Sequence, residues 1–172
     1  MAELDYWEQL VNKYRHKGLL LDANLLVNFL IGSISPERFA SGKSRPAFFD
    51  KNDFTLLAQI IKEFARLYTT PHILTEVSNL AGRVPEHLRN AYYRCFAELL
   101  RSLEEKPLAA LPLSRSAYFP KFGLTDVGIL QLAPKKMLVL TMDASLANLL
   151  HNQGVDVINF KHLQTWRRNT LQ

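Results

Sequence analysis

Leu138-Val139-Leu140-Thr141-Met142-Asp143-Ala144-Ser145-Leu146-Ala147 is the stretch whose reading decides the fold. An unbroken apolar run from Met137 to Thr141 fits a strand buried on both faces, as in a parallel sheet. Asp143 opens a helix that runs to Asn152, and Gly154 is its stop. Val155 to Ile158 reads as the next strand. Strand, helix, strand within about twenty residues is the unit of a parallel sheet.

Working outward, the same unit recurs. Gly18 to Leu21 is a short apolar strand that ends at Asp22. Asn24 to Ile31 places Leu25, Leu26, Phe29 and Leu30 on one helical face, and Gly32 is a stop signal. Residues 32–53 are rich in Ser, Gly, Pro, Lys and Arg without periodicity and read as an inserted loop. Phe54 to Arg66 has helical spacing, Leu67 to Thr70 fits a strand, and Thr70-Pro71 is an N-cap with proline at N1. The helix that follows carries Ile73, Leu74, Val77 and Leu80 on one face. A longer helix starts at Pro85 and runs to about Glu105. Leu108 to Leu113 is read as a third strand, and Thr125 as the cap of a helix from Asp126 to Ala133. This alternation predicts an α/β chain: a mostly parallel central sheet with helices on both faces. Ligands of such sheets sit beyond the carboxyl ends of the strands.

Composition narrows the function classes. The 172 residues suit one domain, with a core over 18–160 and a tail over 161–172. An apolar fraction of 48% excludes an intrinsically disordered chain. One cysteine, Cys95, excludes a disulfide framework and a cysteine-rich zinc site, and it suits a reducing cytoplasm. The start, Met1 to Glu8, is acidic and amphipathic, unlike a signal peptide. No apolar run approaches the ~20 residues that span a bilayer, so a soluble, cytoplasmic protein without membrane contact is expected. The formal net charge of +5 favours polyanionic partners.

Four acids stand in unusual places. Asp22 and Asp143 both follow buried strands, so both project at the carboxyl edge of the sheet. Asp126 shares a helical face with Ile129, Leu130 and Ala133, where a carboxylate is costly unless paired or bound to metal. Glu76 edges the apolar face of its own helix. Each has an ordinary explanation: a helix cap, an Asx turn or a rim charge. Together they would repel, by ~4 kcal/mol for one pair at 4 Å and an effective dielectric of 20. No Lys or Arg in these segments stands ready to neutralise them. Hard oxygen donors of this kind call for Mg2+ or Mn2+.

The order of these stretches resembles the PIN-domain ribonuclease family, which includes the VapC-like toxin nucleases. The residues that carry the resemblance are Leu20 to Asn24, Thr70 to Val77, Gly123 to Asp126, Leu138 to Ala147 and Gly154 to Phe160. It implies a three-layer α/β/α Rossmann-like sandwich, in which Asp22, Glu76, Asp126 and Asp143 are the catalytic acids and hold one or two divalent cations. Asn24 and Thr141 match supporting positions. The implied reaction is hydrolysis of RNA phosphodiesters. The implied setting is the toxin of a toxin–antitoxin pair, with an antitoxin or other protein regulator and a homodimer as expected partners. Residues 32–53 and 83–122 are longer than in compact members.

Weaker candidates surround these. Asn79, one turn after Glu76, is placed to orient it, and His72 shares its helical side. Lys43 and Arg45 in the inserted loop, and Trp166 and Arg167 near the C-terminus, are candidates for phosphate contact and base stacking. Two other classes of function stay open: a phosphotransfer domain using Asp22, and a non-catalytic RNA- or protein-binding module on the same fold.

Overall fold

The computed structural model describes residues 2–37, 49–135 and 137–170. Its sheet has five parallel strands: β1 (Leu19–Leu21), β2 (Leu67–Thr69), β3 (Leu103–Glu105), β4 (Leu138–Thr141) and β5 (Val157–Asn159). They lie in the order β3-β2-β1-β4-β5. Leu20 of β1 pairs with Tyr68 on one side and Val139 on the other. Leu19, Leu20 and Leu138 to Leu140 are fully buried, as continuous apolar runs in a covered parallel sheet require. Each such side chain contributes ~1.5–3 kcal/mol of hydrophobic stabilisation.

Helices cover both faces, giving three α/β/α layers. They are α1 (Ala2–Tyr14), α2 (Ala23–Ile34), α3 (Lys51–Lys62), α4 (Pro71–Leu80) and α5 (Glu86–Leu100). After β3 come the short α6 (Ala110–Ser114), then α7 (Phe119–Leu132), α8 (Ala144–Asn152) and α9 (Phe160–Thr170). The apolar α2 is central and packs on α3, α4 and α5. Thr70 caps α4 through its hydroxyl, with Pro71 in the first turn, as the sequence predicts.

The chain leaves β1 toward β2 on one side, and returns from β3 to β4 on the other. The strand order therefore reverses between β1 and β4. A crevice opens at the carboxyl ends of strands where the order reverses.

Several expectations are corrected. Gly32 does not stop its helix: α2 runs through it to Ile34. Gly32 is needed instead for close approach, because a Cβ there would collide with the Phe54 ring of α3. The inserted loop expected over 32–53 overlaps helix at both ends, since α2 runs to Ile34 and α3 begins at Lys51. The third strand is Leu103–Glu105, not Leu108–Leu113, where Pro112 accompanies a short helix. α5 accordingly ends at Leu100. The expected tail is the helix α9 up to Thr170.

α9 is held by buried charge. Asp50 caps α3 in a reciprocal capping box with Asp53. Asp53 is fully buried, accepts a hydrogen bond from Gln164 Nε2 at 2.8 Å, and lies 3.0 Å from Arg167 Nη2. Arg168 approaches the same carboxylate at 3.3 Å. Arg167 also donates two hydrogen bonds to Asp50, at 3.1 and 2.8 Å. Burial alone would raise the Asp50 carboxyl, but the bonds from Arg167 and from the Asp53 N–H hold it below its ordinary range.

Removing one partner of a buried pair strands the other charge, at a cost of ~3–5 kcal/mol. Arg167→Ala should therefore destabilise the protein by about 3 kcal/mol in urea titration at pH 7. A group with a depressed folded pKa contributes stability above its unfolded pKa and loses it on acidification. The gap between wild type and Arg167→Ala should therefore narrow as the pH falls below about 4. A constant gap down to pH 2 would remove the Asp50 contribution.

Candidate functional site

Asp22 follows β1 directly and caps α2, its Oδ1 accepting from the Leu25 N–H at 2.7 Å. Its Oδ2 accepts from the Thr141 hydroxyl at 2.5 Å and from the Met142 N–H at 2.8 Å. The carboxylate is 5% exposed. Burial pushes its pKa up, against those three donors, and Glu76 adds to the rise.

Asp143, two residues past β4, caps α8 by accepting from the Ser145 and Leu146 N–H groups. Its own N–H donates to Thr141 Oγ1 at 2.9 Å. The fully buried Thr141 therefore links the two acids that end β1 and β4. Asp143 is thus the helix cap that its ordinary reading makes it, whereas Asp22, read as an Asx-turn former, caps α2 instead; both stand at the carboxyl edge of the sheet.

Asp126 is delivered by a break inside α7. Gly123 takes φ 71°, ψ −173°, so the helix restarts after it and carries Asp126 in its first turn. A φ in this region favours glycine. Asp126 is half-buried and is pushed up to about 7 by burial, then by Asp143, Asp22 and Glu76 in that order. Asp126 thus feels the charge of the other three acids, and Asp22 that of Glu76. Among the described residues no Lys, Arg or His forms an ion pair with any of them.

Field and coordination have different reach. Among the described residues no group of three or more His, Cys, Asp or Glu side chains stands close enough to hold a metal ion as it is. Asp22 and Asp143 spend oxygens on backbone N–H groups, while Coulombic repulsion acts across the gap between the four acids. The donor set is nonetheless all carboxylate, with Asp126 coupled to the other three acids and no ion pair to any of the four among the described residues. That chemistry fits a hard divalent ion, with Asp22, Glu76, Asp126 and Asp143 as its holders.

Two hollows each include one of the acids, Glu76 in one and Asp143 in the other. One, of about 440 Å³, lies between α4 and α7, with His72, Glu76, Asn79 and Thr125 on its walls. His72 is half-buried, and its Nδ1 has no hydrogen-bond partner. The other, about 490 Å³, includes Asn24, Asn28, Arg83, Asp143 and Lys161.

The supporting candidates divide. Thr141 binds both acids directly. Asn24 instead faces Arg83, whose Nη1 lies 3.5 Å from Asn24 Oδ1. Among the described residues Asn79 has no hydrogen bond to Glu76, although both line the same hollow. Arg167 is not available for nucleic acid, because it is locked onto Asp50 and Asp53. Trp166 lies away from the acids, in an apolar hollow with Tyr6, Trp7 and His162. Lys43 and Arg45 fall outside the described residues. Arg83 and Asn28 were missed: one follows α4 in an unpatterned turn, the other sits on an apolar helix, and neither has a sequence signal.

Comparisons with protein-family profiles, curated proteins and solved structures return no match.

An acid whose pKa is raised on folding contributes stability at low pH and loses it as the pH rises through the folded value. For Asp126 that window runs from about 4 to about 7. In EDTA, Asp126→Asn should therefore melt above wild type at pH 8, by ~2–4 °C for each kcal/mol of repulsion relieved. At pH 4 the two melting temperatures should converge. A variant that melts below wild type at both pH values would make Asp126 a structural residue.

Proposed function

We propose that the protein is a divalent-metal-dependent endoribonuclease, with Asp22, Glu76, Asp126 and Asp143 holding one or two Mg2+ or Mn2+ ions. The observation that supports this most is the coupling of Asp126 to the other three acids, none of which is ion-paired among the described residues. The resemblance to PIN-domain ribonucleases supports the same reading. A bound ion would activate water, orient the scissile phosphate and stabilise the leaving oxygen.

The chain's own residues have distinct tasks in this reading. Thr141 and the Met142 N–H fix the Asp22 carboxylate against rotation. Backbone donors at the start of α8 fix Asp143 in the same way. Asp126, whose ionisation the other three acids oppose, is the group whose charge a cation stabilises most. Once ionised, a carboxylate here can also accept a proton from attacking water. RNA is the proposed substrate because the net charge is basic although the site is acidic. A toxin role, an antitoxin and a homodimer follow from the family resemblance. Among the described residues no helix is long and apolar enough to cross a membrane.

Phosphotransfer through Asp22 is the weaker reading. A phosphoacceptor needs an accessible oxygen, whereas both Asp22 oxygens accept hydrogen bonds in a buried setting.

The test is cleavage of a mixed single-stranded and structured RNA pool in Mg2+, Mn2+ or EDTA. Wild type should cut only with metal. Asp126→Asn should lose more than the ~10–100-fold that removal of an outer partner costs at metal sites, while keeping its fold. Mg2+ or Mn2+ should also raise the wild-type melting temperature, since binding to the native state alone stabilises it. Neither cleavage nor a metal-dependent shift would overturn the reading.

A further inference from the structure

The hollow on the Asp143 side contains a polar group that the proposed metal chemistry does not use. Asn28 lies on α2, one turn after Asn24, and is 3% exposed. Its Nδ2 donates to the Met142 sulfur at 3.6 Å. A thioether is a weak acceptor. Among the described residues nothing else bonds to this amide, and its carbonyl oxygen accepts no hydrogen bond. The hollow it lines is walled by Val27, Ile31 and Met142, and carries Arg83 and Lys161 as its cations. Neither cation forms an ion pair among the described residues.

We infer that this hollow receives one nucleotide of the RNA, adjacent to the cleaved bond, with Asn28 reading its base. The inference rests on the nuclease reading for the identity of the polymer. The parts suit a nucleotide. Val27, Ile31 and Met142 offer apolar contact to a base. Asn28 has one remaining N–H and a free carbonyl oxygen, a donor beside an acceptor. That is the pattern an asparagine uses to bind a base edge bidentately. Arg83 and Lys161 supply the phosphate contacts, which position the chain without specifying sequence. At about 490 Å³, the hollow is in the range of small-molecule sites. Asp143 lines it too, so an occupant lies directly beside one of the four acids. Asn28 is therefore a specificity-determining residue, and Arg83 a backbone anchor.

The experiment is an NMR titration of the full chain in EDTA with AMP, CMP, GMP and UMP, and with inorganic phosphate alone. In wild type the Asn28 side-chain amide and the Met142 methyl should shift with each nucleotide. Affinities should be ranked by base, over about fivefold or more. Asn28→Leu, close to asparagine in size, should erase the ranking. Arg83→Gln should weaken all four alike and leave it intact. No shift at Asn28 and Met142 in wild type would overturn the inference, and that arm needs no variant to fold. Phosphate binding as tightly as the nucleotides, or a ranking that survives Asn28→Leu, would overturn it as well. Ranked nucleotide binding without metal-dependent cleavage would retain this site and reject the nuclease. Metal-dependent cleavage without nucleotide shifts would do the reverse.

Discussion

The hydroxyl of Thr141 joins the two halves of the sheet at the point where the rest of the site must be built. It donates to the buried Asp22 and accepts from the Asp143 N–H. β1 with its helix and β4 with its helix are thereby locked at their carboxyl ends. Asp22 cannot leave this arrangement cheaply, because its three donors offset the desolvation of a buried carboxylate. The crevice, the helix starts and the placement of two acids all follow from that one polar knot inside an apolar sheet.

Capping and function are usually weighed as rivals for an acid at a helix start. Here the same geometry serves both. A carboxylate that caps a helix is oriented by backbone N–H groups and keeps further lone pairs for another partner. The difference between a cap and a metal ligand then lies in the neighbours. Asp50 caps α3 and meets Arg167, so its charge is matched inside the protein. Asp22 and Asp143 cap α2 and α8, form no ion pair among the described residues, and oppose the ionisation of Asp126 instead. The first arrangement stabilises the native state by itself. The second stores repulsion that a cation would release.

The clamp of α9 onto α3 shows how far a charge reading can mislead. Arg167 and Arg168 belong to a basic C-terminal stretch, which in isolation suits phosphate binding. Asp50 and Asp53, more than a hundred residues earlier, take them both. The basic groups that do stand beside the acids are Arg83 and Lys161, which come from two other parts of the chain.

The α/β class, four of the five strands and the caps at Thr70 and Asp143 were legible because local rules govern them. Apolar runs, periodicity and side-chain bonds to nearby N–H groups all act within a few residues. The four acids were legible too, since each stands out against its own element. β3 was misplaced because Leu103-Glu104-Glu105 carries no apolar run; it becomes a strand only by pairing with β2. Gly32 read as a stop because its need for Phe54 is a contact between helices. The raised pKa of Asp126, the Thr141 link and the pairing of Asn28 with Met142 depend on distances across the sheet. Only the tertiary structure decides those, because electrostatic and steric terms act through space between residues that the sequence holds far apart.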